Sequence, residues 1–110
     1  MTINFNEVLE FTKEFHRLEK KYRSLSDNLE EFKRVLVIKP LGTGKHFATL
    51  TRQEDIYILK ARLFCQYLKG SSLRIIYAYH STILRIEFIE IYFKGEKENE
   101  DRQRIKNYLK

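Results

Sequence analysis

The apolar residues of this chain change their period once, and that change restricts what it can fold into. From Val8 to Leu36 they recur at steps of three and four, the spacing of one helical face. From Ile56 to Phe93 they alternate or run together in stretches rich in β-branched and aromatic side chains, the signature of strands. A chain that is helical first and extended afterwards buries both apolar faces by laying the helices on an antiparallel sheet. The predicted class is therefore α+β: a small antiparallel sheet of three or four strands, an N-terminal helix hairpin on one face and a C-terminal helix.

The helical half divides in two. Val8, Phe11, Phe15, Leu18, Tyr22 and Leu25 form a stripe within the stretch NFNEVLEFTKEFHRLEKKYRSL. Ser26-Asp27-Asn28 then reads as a capping cluster, followed by a second stripe of Leu29, Phe32, Val35 and Leu36 that Pro40 closes. Three strands are expected within DIYILKARLFC, SLRIIYAYH and ILRIEFIEIYFK, separated by turn signals at Lys69-Gly70-Ser71-Ser72 and His80-Ser81-Thr82. A short leading strand at TINF is possible by pattern. The tail ENEDRQRIKNYLK has acids first and bases last, with Ile105, Tyr108 and Leu109 at helical spacing.

The chain has 110 residues, and no linker or repeat divides it, so residues 1–110 read as a single domain. No apolar run reaches the length of a membrane span or a signal sequence, and the single cysteine, Cys65, allows no internal disulfide. A cytoplasmic setting with no membrane partner is the expectation. Cys65 follows the apolar run ARLF and reads as a small buried hydrophobe. Three histidines and one cysteine, widely separated, offer no zinc spacing, so neither metal nor cofactor is expected.

The stretch PLGTGKHF, residues 40–47, invites a nucleotide reading that spacing refuses. A phosphate-gripping loop needs a glycine five positions before its Gly-Lys pair and a Ser or Thr after it. Gly44-Lys45 has Lys39 and His46 in those places, and a helix rather than a strand precedes it. The stretch reads instead as a loop whose glycines permit turns.

The net charge is +6, with the acids gathered at the start of the chain and in EKENED and the bases dominating its middle. Such an excess suits a polyanionic partner. Strand alternation gathers Lys60 and Arg62 with Ile58 on one sheet face, and Arg74 with Ile76 on the next strand; Lys94 ends the last strand. Like charges so gathered repel unless an anion lies among them. Patterning alone fits this equally with a solvated face where Lys and Arg stems lie over Ile58 and Ile76.

The order of a helix hairpin, YILKARL, a Gly-Ser turn, LRIIYAYH and then IEFIEIYFKGEKEN resembles the RelE/ParE superfamily of toxins from toxin–antitoxin modules, over nearly the whole chain. The resemblance implies the fold class given above and the toxin of a type II module. RelE-like members are mRNA interferases, endoribonucleases that inhibit translation by cutting messenger RNA on the ribosome; ParE-like members poison DNA gyrase. On matching positions, Arg74 resembles the phosphate-binding arginine, Lys60 and Arg62 the basic pair on the preceding strand, and Lys94 the base after the last strand. Those four are the implied catalytic set, acting without metal by attack of the ribose 2′-OH. Lys45 and His46 would stand beside the face, touching RNA or remaining plain surface. The implied partners are a cognate antitoxin with an apolar, acidic segment, and mRNA with the ribosome. One departure stands out: FKGEKENEDRQ is acidic where active members carry a late Arg, Tyr or His-Tyr, and neither Tyr92 nor Tyr108 matches cleanly. A gyrase inhibitor and a non-enzymatic antitoxin-binding relative remain the alternatives.

Overall fold

The computed structural model describes residues 2–65, 68 and 73–110. In chain order the elements are β1 (Asn4–Glu7), α1 (Leu9–Lys21), α2 (Leu25–Ile38), β2 (Phe47–Gln53), β3 (Ile56–Leu63), β4 (Leu73–His80), β5 (Arg85–Phe93) and α3 (Arg102–Tyr108). The class is α+β, as the change of period predicts. The strands form one sheet in the order β1-β5-β4-β3-β2, antiparallel throughout except where β1 joins β5 in parallel. The predicted turn at Lys69-Gly70-Ser71-Ser72 lies outside the described residues. Among the described residues, no helix is long and apolar enough to cross a membrane.

Two of the five strands go beyond the three that the pattern spelled out. β1 overlaps the leading strand that the pattern allows at TINF and runs on into residues expected to open the first helix: Phe5 stacks on Phe88 with centroids 6.0 Å apart, and the Val8 N–H closes the pairing onto the Phe88 carbonyl. β2 has no counterpart among the expected strands: its FATLTRQ is short of large apolar residues and, in the structure, largely exposed. It is an edge strand, paired on one side only, and needs few apolar contacts. The second helix also starts earlier than expected. Leu25, fully buried, belongs to α2, so Ser26-Asp27-Asn28 forms its first turn rather than its cap. Val35, assigned to the buried stripe, is 49% exposed.

The helix hairpin covers one face of the sheet. Phe11, Leu18, Leu25, Leu29, Phe32 and Leu36 pack on Leu59, Ala61, Leu63, Ile75, Tyr77, Ile86, Phe88 and Ile91. Tyr77, at the centre, donates its hydroxyl hydrogen to the Pro40 carbonyl at 2.8 Å and so ties the end of α2 to the sheet. Gly42, at φ +68°, lies so close to the Phe47 ring that a Cβ would stand 2.2 Å from it. That glycine of the 40–47 loop is needed for packing.

The opposite face carries a second, smaller core of Ile58, Ile76, Ala78, Ile89 and Tyr92 beneath Ile105 of α3. Patterning offers this face as either solvated or anion-bound; α3 covers part of it. β5 serves both cores, and a bulge resets which of its side chains reach each one. Ile76 faces Glu90 and Tyr77 faces Phe88, which leaves Ile89 as the extra residue. Before the bulge Ile86 and Phe88 point to the helix hairpin; after it Ile91 and Phe93 do.

Beyond β1, the outer edge of β5 is closed by side chains. The Ile91 N–H donates to Glu14 Oε1 at 3.2 Å, and Arg104 donates to the Ile89 carbonyl at 2.9 Å. Arg104 and Glu14 are themselves joined by two bonds, at 2.9 and 2.8 Å, which pin α3 to α1. Replacing Arg104 by Ala is expected to cost about 1–3 kcal/mol, through lost charge-assisted bonds and an exposed sheet edge. Replacing the exposed Lys106 on the same helix should change stability by less than about 0.5 kcal/mol. Chemical denaturation of the two variants checks the contrast.

Candidate functional site

The register of the sheet assembles a row of polar side chains across three strands and the residue that precedes β2. Arg62 of β3 stands opposite Arg74 of β4, and Arg74 opposite Tyr92 of β5. On the other side the Arg62 N–H donates to the carbonyl of His46, the residue preceding β2, at 3.0 Å. His46, Arg62, Arg74 and Tyr92 thus line up along one direction of the sheet. Lys60 belongs to the next row, between Ala48 and Ile76.

A groove of about 270 Å³ follows this row, lined by Lys45, His46, Phe47, Ala48, Leu50, Lys60, Ala61, Arg62, Arg74 and Lys94. All six candidate residues from the sequence, Lys45, His46, Lys60, Arg62, Arg74 and Lys94, therefore come together. They arrive from two strands, β3 and β4, the loop before β2 and the turn after β5. Arg85, the arginine of the last strand outside this set, pairs with His80 at the far end of the sheet. His80 is six residues along β4 from Arg74, so that end lies about 20 Å away.

Arg74 is only 7% exposed. Burial and the facing Arg62 both work against its charge and push its pKa below the usual arginine value. Like charges directly opposite on neighbouring strands cost stability, and the groove accepts that cost. An anion entering between the two guanidiniums would relieve it.

Lys60 has an anion already. Its Nζ lies 2.9 Å from Glu100 Oε1, while Arg102 reaches Glu100 Oε2 at 2.8 Å. Glu100 is nearly enclosed, with a side chain 2% exposed. Burial works against both charges, yet their mutual hydrogen bond prevails, holding the Lys60 pKa above and the Glu100 pKa below their ordinary values. The pairing thus favours the charged form of Lys60 at the groove. Glu90, 1% exposed, is satisfied by Lys97 and by the Asp101 N–H at 2.8 Å. The acidic stretch that departs from the resemblance thus folds back onto the rim of the basic face and neutralises part of it. Sequence reasoning missed Glu100, and no local signal could have found it, since its partner is 40 residues away.

The two late tyrosines separate cleanly. The Tyr108 hydroxyl donates to Glu87 Oε1 at 2.6 Å and receives His80 Nε2 at 2.6 Å, at the far end of the sheet. Burial, then Glu87, push its pKa up, so it stays protonated and fastens α3. Tyr92 is 3% exposed, with the Lys97 ammonium 5.5 Å from its ring centre. Its hydroxyl makes no hydrogen bond of normal geometry among the described residues, and burial raises its pKa against the opposing charge of Lys60. Tyr92 ends the arginine row; Tyr108 does not touch it.

No protein-family model matches this chain, and no curated protein matches it. A chain from the crystal structure of the archaeal RelE–RelB complex of Pyrococcus horikoshii OT3 does superpose, with a TM-score of 0.66 over 86% of this chain and 98% of that one, at 21% identity. The likeness establishes a RelE-like fold.

Glu100→Gln is expected to destabilise the protein by about 1–3 kcal/mol around pH 7, because Lys60 keeps its charge and loses its partner. Glu100 titrates below 4.5 in the folded state, so its contribution is present above that pH and is lost as pH falls through the folded value. Lys60 titrates above 10.5, so its contribution is present below that pH and is lost as pH rises through its folded value. The difference between wild type and variant should thus be greatest at intermediate pH and shrink in acid. Urea unfolding at several pH values reads this directly, and a gap independent of pH would contradict it.

Proposed function

We propose that this chain is the toxin of a type II toxin–antitoxin pair and that its basic groove binds and cleaves RNA without a metal. The observation that carries the reading is the convergence of Lys45, His46, Lys60, Arg62, Arg74 and Lys94 on one groove with two arginines face to face. The RelE-like fold supports it, as does the fact that the superposing chain was solved in a RelE–RelB complex.

The reaction assigned to the groove is transesterification. The ribose 2′-oxygen attacks the adjacent phosphorus, a 2′,3′-cyclic phosphate forms, and the bond to the 5′-oxygen breaks. One proton leaves the 2′-hydroxyl and one must reach the departing 5′-oxygen. Arg74, buried and flanked by Arg62, suits bidentate grip of the phosphate, and stabilises the added charge where little water competes. Lys60, held cationic by Glu100, adds positive charge. A neutral imidazole accepts protons, and His46 is the histidine that lines the groove. Lys45 and Lys94 follow the neighbouring phosphates.

The substrate of this reading is messenger RNA on the ribosome, in the cytoplasm. The partner is a small antitoxin that lays an amphipathic segment across the protein with its acids toward Arg62 and Arg74. One observation favours a second reading, a non-nucleolytic relative that keeps the antitoxin interface: Glu100 already occupies Lys60. A gyrase poison would act through the same exterior without RNA cleavage.

Arg74→Ala should lower cleavage of an oligoribonucleotide, and growth arrest on expression, by about a hundredfold or more. Arg74→Lys should recover only part, since a point charge replaces the fork. Arg85→Ala should leave activity nearly unchanged. Full activity in Arg74→Ala with unchanged melting would remove the nuclease reading. DNA damage without new mRNA ends would point to gyrase, and harmless expression to the non-nucleolytic relative.

A further inference from the structure

The row of cations ends in an aromatic step that the cleavage chemistry does not use. Phe64, immediately after β3, is 56% exposed, although a phenylalanine ring is among the costliest groups to leave in water. Its ring meets the His46 ring edge-on, with centroids 5.2 Å apart and planes at 84°. His46 lines the basic groove, and Phe64 shares an adjoining hollow with Arg62, Phe32 and Val35. Phe64 also lies two residues beyond Arg62, about 7 Å along the strand direction. An open aromatic face therefore sits one short step from the paired arginines, braced by an imidazole that belongs to the groove.

Resting on the reading of this groove as an RNA site, we propose that Phe64, steadied by His46, is a stacking platform for an unpaired base next to the phosphate that Arg62 and Arg74 hold. The occupant is a single-stranded nucleotide segment. Every base has a π-face, and base–aromatic stacking beside a cationic track is how proteins hold single strands without reading their sequence. A base in a duplex is already stacked on its neighbours and cannot lie on the ring. The platform thus selects single-stranded over paired RNA and does so without any charge of its own. Glu31 also lines this hollow, but Arg62 within it and the cations of the adjoining groove favour this occupant over an apolar peptide, because a nucleotide supplies the anion and the flat apolar surface together.

The test uses fluorescence anisotropy with a labelled 2′-O-methyl oligonucleotide, which cannot be cleaved, beside an abasic strand of equal phosphate count and a duplex. The wild type should bind the intact single strand about tenfold more tightly than the abasic strand, and Phe64→Ala should erase that preference while keeping the affinity for the abasic strand and its salt dependence. Arg74→Ala should weaken both strands together. The chain contains no tryptophan, so Phe64→Trp introduces a single indole, whose fluorescence should be quenched by the intact strand and not by the abasic one. Equal binding of intact and abasic strands by the wild type overturns the platform while leaving the cationic groove standing. Binding of neither strand overturns the RNA reading of the groove and the platform with it. If Phe64→Ala leaves oligonucleotide binding unchanged and weakens binding of an acidic amphipathic peptide instead, the surface is a protein-docking site and the proposal is wrong.

Discussion

The bulge in β5 is the constraint on which the rest of the architecture turns. A regular strand offers one set of alternate side chains to each face, and that parity is fixed along its length. The extra residue at Ile89 resets the parity in mid-strand. Ile86 and Phe88 before it, and Ile91 and Phe93 after it, all point toward the helix hairpin, while Ile89 and Tyr92 reach the opposite core. Without the reset, Tyr92 would turn into the helix-side core and the arginine row would lose its end. Just past the bulge β1 has ended opposite Phe88, and the edge of β5 beyond it is met by Glu14 and Arg104, the contact that pins α3.

The second face then splits into two unlike halves, and charge decides the boundary. Ile58, Ile76, Ala78 and Ile89 are roofed by α3 because apolar surface is stabilised by leaving water. Arg62 and Lys94 remain exposed, because covering them would cost more than the apolar contact returns. Lys60 lies on the seam, and Glu100, just before α3, meets it there. A buried ion pair of this kind is a poor source of net stability, since desolvation offsets most of its Coulomb attraction. Its value is positional: it sets where the roof stops and keeps one cation of the groove from drifting.

The parts of this layout legible in the sequence are those set by period and by sign of charge. The helix pair, the three central strands and the gathering of Lys60, Arg62 and Arg74 all follow from residues close in sequence obeying a regular spacing. β2 was not legible because an edge strand needs few apolar residues, and FATLTRQ has few. β5 could not be oriented because a bulge makes both faces look apolar, although the period itself holds on either side of Ile89. The acids near the C-terminus were read correctly as a departure and incompletely as chemistry. Whether Glu100 is solvated or pressed against Lys60 depends on a contact across 40 residues, which no local pattern records.

The split face also bears on how a groove with a built-in anion could serve a phosphate. Glu100 and an entering phosphate are both anions and both favour the Lys60 ammonium, so their claims on it compete. Arg62 and Arg74 face each other on neighbouring strands, where burial and the charge of Arg62 both work against the charge of Arg74. On the proposed reading, a phosphate at the arginine pair would offset part of their mutual repulsion, whereas at Lys60 it would compete with the Glu100 carboxylate. Under that reading the arginine pair is the better placed for an anion, while Lys60 is a cation already held by Glu100 just before α3.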